Sequence, residues 1–130
     1  MLLKEDILGA DDLKRERVET PDWPCRHVWV RTMPGIDRDS FEEQSLDGDP
    51  GSRTMRYRNL RGRLAAWTIV DEGGQRVFAD EDADAVGQKS AAMLDRVFDV
   101  ASRLNGLSDK DVKDLAKNLS GAQGGASGSD

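Results

Sequence analysis

Cys25 and His27 are the one thiol and the one imidazole of this sequence, and they stand two residues apart. In an extended segment that spacing puts both side chains on one side, as a Cys–His pair of nucleophile and base requires. The same two groups are too few for zinc, which takes four ligands in structural sites and further partners to orient them. Beside the turn made by Pro21 and Pro24, a half-buried thiol and a surface imidazole are the expected state. Asp80, Asp82 and Asp84 alternate like the opening of a calcium loop. Ala85 stands where that loop needs glycine and Ala91 where it needs its closing acid. The three acids therefore read as the start of a helix, with Asp80 as the cap of Glu81–Val86. Asp71-Glu-Gly-Gly has neither the spacing nor the Lys-Ser/Thr pair of a phosphate loop. No catalytic residue, metal or cofactor is expected.

The second feature with chemical potential is the arginine group Arg53, Arg56, Arg58, Arg61 and Arg63. On a helix these do not form one stripe: Arg56 and Arg63 flank the apolar face of Tyr57, Leu60, Leu64 and Trp67, while Arg58 and Arg61 point away. Snorkelling over that face and pairing with acids is the expected use. The alternative function is a small DNA-associated regulator that reads DNA with an Arg53–Arg63 helix. Phosphate affinity needs a concentrated positive surface, and a net charge of −6 opposes it, so no nucleic-acid partner is expected.

The elements that must position these residues follow from periodicity. Arg17-Val-Glu-Thr and His27-Val-Trp-Val-Arg-Thr flank the proline turn and predict an antiparallel hairpin, with Val28 and Val30 on one face and His27, Trp29 and Arg31 on the other. Asp37–Leu46 predicts a short helix through Ile36 and Phe41, followed by an exposed loop at Asp47-Gly-Asp-Pro-Gly-Ser. A helix from about Met55 is ended by Gly73 and Gly74, and Val77-Phe78 is extended. The strongest pattern is a long helix beginning near Gln88 and stopped by Asn105-Gly106. Its apolar arc is Met93, Leu94, Val97, Phe98, Val100, Ala101 and Leu104, with Asp95, Arg96, Asp99, Ser102 and Arg103 opposite. Ser108-Asp-Lys-Asp111 fits a capping box for a last helix striped by Val112, Leu115 and Leu119.

The fold class expected is mainly α (α+β), a small N-terminal hairpin packed on a bundle of about four to five helices. Residues 1–16 read as an irregular N-terminal arm, 17–120 as a single α+β domain, and 121–130 as a flexible Gly/Ser tail. A 34% charged fraction predicts a wet surface. No run approaches the ~18 apolar residues of a membrane span, and a lone cysteine fits a reducing compartment, so a cytoplasmic protein without membrane contact is expected. The long apolar arc is either core or a groove for a partner's helix. Met93, Val97, Phe98, Ala101, Leu104, Val112 and Leu115 are the candidate partner-binding residues.

The order and spacing of these pieces carry a resemblance. Val18-Glu-Thr-Pro-Asp-Trp is followed by Val28-Trp-Val-Arg-Thr-Met-Pro-Gly and Asp37-Arg-Asp-Ser-Phe-Glu. Then come Arg63-Leu-Ala-Ala-Trp-Thr-Ile-Val-Asp-Glu-Gly-Gly, Val77-Phe-Ala-Asp-Glu-Asp, Lys89-Ser-Ala-Ala-Met-Leu-Asp-Arg-Val-Phe and Leu104-Asn-Gly-Leu-Ser. The chain to about Asn118 resembles the tail assembly chaperones of long-tailed bacteriophages and prophages. The resemblance implies a non-enzymatic protein that coats the tape measure protein in the host cytoplasm, recruits tail tube subunits, and is absent from the mature virion. It also implies self-association into a homo-oligomer and a possible longer, frameshifted form of the same protein, of which this chain with its Gly/Ser tail would be the short version. The Asp47–Arg53 loop and Cys25-Arg-His27 depart from the pattern.

Overall fold

The computed structural model describes residues 3–48 and 54–107, and within these the chain has an α+β fold. The expected hairpin is present: β1 (Arg15–Thr20) runs antiparallel to β2 (Arg26–Arg31), with Val18 opposite Val28. Val18, Thr20 and Val30 are buried, so the inward face is the one the alternation predicted. Between the strands, Trp23 N–H donates to Thr20 O and Arg26 N–H to Trp23 O, both at 2.9 Å. Arg26 sits in the left-handed region at φ 70°, and its guanidinium holds the Pro21 carbonyl at 3.0 Å, tying the loop to itself.

A third strand was not expected. β5 (Ile69–Val70) pairs with β2, giving a sheet of order β1-β2-β5 in which Ile69 faces Val30. It grows directly out of α3 (Leu60–Thr68), so the helix predicted to run from Met55 into the glycines is shorter at both ends. Its start is moved by Asn59, whose left-handed backbone at φ 57° cannot continue a helix, and Thr54–Met55 upstream is a strand, β4. β4 pairs with β3 (Leu46–Asp47), so Asp47, read as the first residue of an exposed loop, belongs to a small ladder; residues 49–53 of that loop lie outside the described residues. Gly74 at φ 85° turns the chain after β5, and Val70 then bridges to Arg76.

α3 is the centre of the molecule. Every residue from Gly62 to Thr68 is buried, and it packs against α2 (Gly35–Gln44), α4 (Ala83–Gly87), α5 (Ala91–Leu104) and β2. The expected apolar face of Leu60, Leu64 and Trp67 is there, but the helix is covered on its other sides as well, which one apolar face does not announce. Its last carbonyls are met by two arginines: Arg31 donates to Trp67 O at 2.8 and 3.1 Å, and Arg76 to Ala66 O at 3.0 and 3.1 Å. Arg76 also lies over the Trp67 ring, 3.8 Å from its centroid.

The other helices refine the expectations. α2 begins at Gly35 and buries Phe41, while Ile36 stays exposed. Asp80 does not cap the acidic helix. A 3₁₀ turn over Asp80–Asp82 precedes α4, Asp82 accepts from Ala79 N–H at 2.8 Å, and Asp80 instead pairs with Arg76 and Gln44, each at 2.9 Å. The long helix α5 starts at Ala91, with Ser90 Oγ accepting from Met93 N–H, because Gln88 is used to close α4. Gly106 at φ 71° ends it, and Leu107 N–H returns to Ser102 O at 2.6 Å. Residues 3–8, part of the arm read as irregular, form α1 (Leu3–Leu8). The last helix with Val112, Leu115 and Leu119, and the Gly/Ser tail, lie outside the described residues.

Candidate docking surface

α5 turns most of its arc inward. Met93, Leu94, Val97 and Ala101 are buried in the core with Val18, Val30, Leu64 and Ile69. Phe98, Val100 and Leu104 are half-buried at its margin. Ser102, predicted on the solvent face, is buried as well, because α5 is covered by α3 on one side and by β1 and β2 on another. Of the candidate partner-binding residues, Met93, Val97 and Ala101 are thus inside this chain, and Phe98 and Leu104 border its surface. Val112 and Leu115 lie outside the described residues.

A different apolar surface is open. The hairpin tip, the segment after β5 and the end of α4 enclose a cleft of about 750 Å³. Trp23, Pro24 and Cys25 form one wall, Val77 and Phe78 the facing one, and Ile69 and Val86 the buried floor. Val77 is held there by its N–H bond to Ile69 O at 3.2 Å, yet its side chain is 52% exposed. Asp22, Asp82 and Lys89 supply charge around the lining. An apolar floor with a few charges around it suits an apolar side chain or helix more than a polar substrate. Sequence reasoning missed this surface, since Trp23, Ile69, Val77 and Val86 belong to four separate segments with no shared period. The only partial signals were the aromatic in the proline turn and, in a distant segment, the extended Val77-Phe78.

The residues singled out for chemistry have different surroundings. Cys25 is exposed on the cleft wall, whereas His27 pairs across the hairpin with Glu19 and meets Trp29 edge-on at 6.3 Å between centroids. Among the described residues no group of three or more His, Cys, Asp and Glu is arranged to hold a metal ion. The three aspartates diverge: Asp80 and Asp82 bind as above, and Asp84 accepts from Asn59 Nδ2 at 3.4 Å. The arginines do not share one helix. Arg56 precedes α3 and donates to Gln44 O at 2.9 Å, Arg61 pairs with Asp95, and Arg63 is buried and donates to the Arg58 carbonyl at 2.7 Å. The continuous arginine helix on which the DNA-regulator alternative rested is therefore not formed, and Arg53 lies outside the described residues. Part-burial raises the phenol pKa of Tyr57, in the turn before α3, above its ordinary value through desolvation.

No helix among the described residues is long and apolar enough to cross a membrane. No protein-family profile and no curated protein matches this sequence. Among solved structures, the tail assembly chaperone of bacteriophage HK97 matches with a TM-score of 0.53 at 18% sequence identity, over 84% of this chain and the whole of that one. What the two have in common is the fold: this chain has the α+β architecture of a phage tail assembly chaperone.

Proposed function

We propose that this chain is a tail assembly chaperone of a long-tailed bacteriophage or prophage, a protein without catalytic activity. It keeps the tape measure protein soluble in the host cytoplasm, helps recruit tail tube subunits, and leaves before the virion is complete. The observation that carries this reading is the match of fold to the HK97 tail assembly chaperone over that chain's full length. The open apolar cleft agrees with it, as a groove where an apolar helix face of a client can be covered. The mechanism is shielding: the client's apolar stripes exchange water for the cleft and for the half-buried margin of α5 at Phe98 and Leu104, until tube subunits replace the chaperone. Self-association, with copies of itself and with any frameshifted longer form, multiplies such contacts along one client.

Co-expression with the tape measure protein of the same genome tests the proposal. The soluble fraction of that protein is expected to rise several-fold with the wild-type chain. An unchanged soluble fraction overturns the reading.

A further inference from the structure

Every residue from Leu3 to Arg15 is exposed, and α1 buries none of its side chains. Yet this arm carries Leu3, Ile7, Leu8 and Leu13, between 48% and 75% exposed. Leu3 and Ile7 stand one helical turn apart and make a short apolar ridge. A six-residue helix does not hold itself together in water unless something packs on it. The root of the arm points to its cover. Lys14 O accepts from Thr32 N–H at 2.7 Å, and Thr32 Oγ1 donates to Leu104 O at 3.4 Å. One residue thus joins the root of the arm to the last turn of α5. Just beyond it, Asn105 Oδ1 accepts from Met33 N–H at 2.7 Å, and Leu107 packs on the core. The arm therefore enters the domain where the chain beyond Leu107 leaves it.

We infer that residues 108–119 of the same chain pack on the α1 arm and cover its apolar ridge. Val112, Leu115 and Leu119 recur at helical spacing in that segment, so it brings an apolar stripe that itself needs a partner. The lengths agree. The Gly9 N–H bond to Glu5 O and the Ala10 N–H bond to Ile7 O close the end of α1, so only residues 11–13 separate it from Lys14. Extended, these span roughly 10 Å at about 3.3 Å per residue. Residues 108–119, as a helix, reach roughly 18 Å at about 1.5 Å per residue, which carries them alongside α1. The charges agree as well. From Leu3 to Leu13 the arm is acidic, with Lys4 alone against Glu5, Asp6, Asp11 and Asp12. Lys110, Lys113 and Lys117 recur at steps of three and four, one line of cations along a helix. Proximity selects this occupant over a second copy. Segments joined at one point meet at an effective concentration on the order of 1 mM, far above that of a free chain in dilute solution.

Neither the client nor the hairpin-tip cleft takes part in this contact, so the co-expression test stands or falls by itself. The full chain with Cys25→Ala, which removes the native thiol, is the background. Ile7→Cys is added with Leu115→Cys, and in a second chain with Leu119→Cys, and each is oxidised in dilute solution. A disulfide within one copy is expected in at least one of the two, read as a faster band on a non-reducing gel. Val77→Cys in place of Ile7→Cys, at an exposed position on the cleft, is expected to give about tenfold less of that bond. Separately, Val112→Asp with Leu115→Asp is expected to speed amide exchange at Gly9 and Ala10 about tenfold, while exchange at Val97 in α5 is unchanged. No bond in either chain, or a bond only between two copies, overturns the inference. So does an equal yield from Val77→Cys, or arm exchange that the Asp pair leaves unchanged.

Discussion

Single residues hold the seams of this fold. Asn105, read from the sequence only as a helix stop, is buried and bonds three ways: its Oδ1 accepts from Met33 N–H at 2.7 Å, and its Nδ2 donates to Arg31 O at 3.2 Å and Ala101 O at 2.8 Å. It ties the end of α5 to the chain leaving β2. Asn105→Ala leaves buried backbone groups without partners and is expected to cost about 2–4 kcal/mol in urea unfolding, at the upper end of what lost buried bonds cost. Arg76 completes the end of α3 and stacks on Trp67. Arg76→Lys keeps the charge but not the planar fork, and is expected to lose about 1–2 kcal/mol in the same assay. A Lys variant as stable as wild type would show that the carbonyl cap carries no energy of its own.

Elements meet most closely where α4 crosses the start of α3. A Cβ at Gly87 would stand 1.9 Å from Asn59 Oδ1, and one at Gly62 would stand 2.3 Å from the same atom and 2.7 Å from the backbone oxygen of Ala83. Asn59 fills the space that two glycines leave, and its Nδ2 donates to Ala83 O at 2.9 Å. Gly87→Ala can be relieved by moving a side chain, whereas Gly62→Ala must also move backbone. Both are expected to destabilise, Gly62→Ala by about 2–3 kcal/mol and Gly87→Ala by less, read from thermal unfolding midpoints. The reverse order would mean that α4 yields more easily than Asn59. Along α5 the same logic separates core from margin. Val97→Asp puts a charge into a fully buried site and is expected to leave no folded protein by circular dichroism. Phe98→Asp, at the half-buried edge, is expected to stay folded, which makes it the variant of choice for asking whether a client is lost.

At the scale of the whole molecule, the charge balance works against phosphate binding. With a net charge of −6 and Arg56, Arg76 and Arg61 engaged by Gln44, Asp80 and Asp95, the described residues offer phosphates no concentrated stripe. Electrophoretic mobility of duplex DNA at ~50 mM salt is expected to be unchanged by the protein. A steeply salt-dependent complex would restore the case for a nucleic-acid partner. Among the described residues the large apolar side chains left exposed are Leu3, Ile7, Leu8 and Leu13 of the arm, Ile36 on α2, Tyr57 before α3 and Val77 in the cleft.

The hairpin, the long helix α5 and its glycine stop were legible in the residues themselves, because each has a local cause: alternation about a proline turn, a wide arc at helical spacing, and a residue free to adopt positive φ. Which side chains of the arc were interior was not legible, since an apolar face reads the same whether its cover is the same chain or another. Packing on α3, β1 and β2 decided that for Met93, Val97 and Ala101. The third strand, the central position of α3 and the cleft likewise came only from tertiary structure. Ile69–Val70 is too short to announce a strand, the period of α3 marked one apolar face but not the cover on its other sides, and the cleft is made by segments that meet only once the chain is folded.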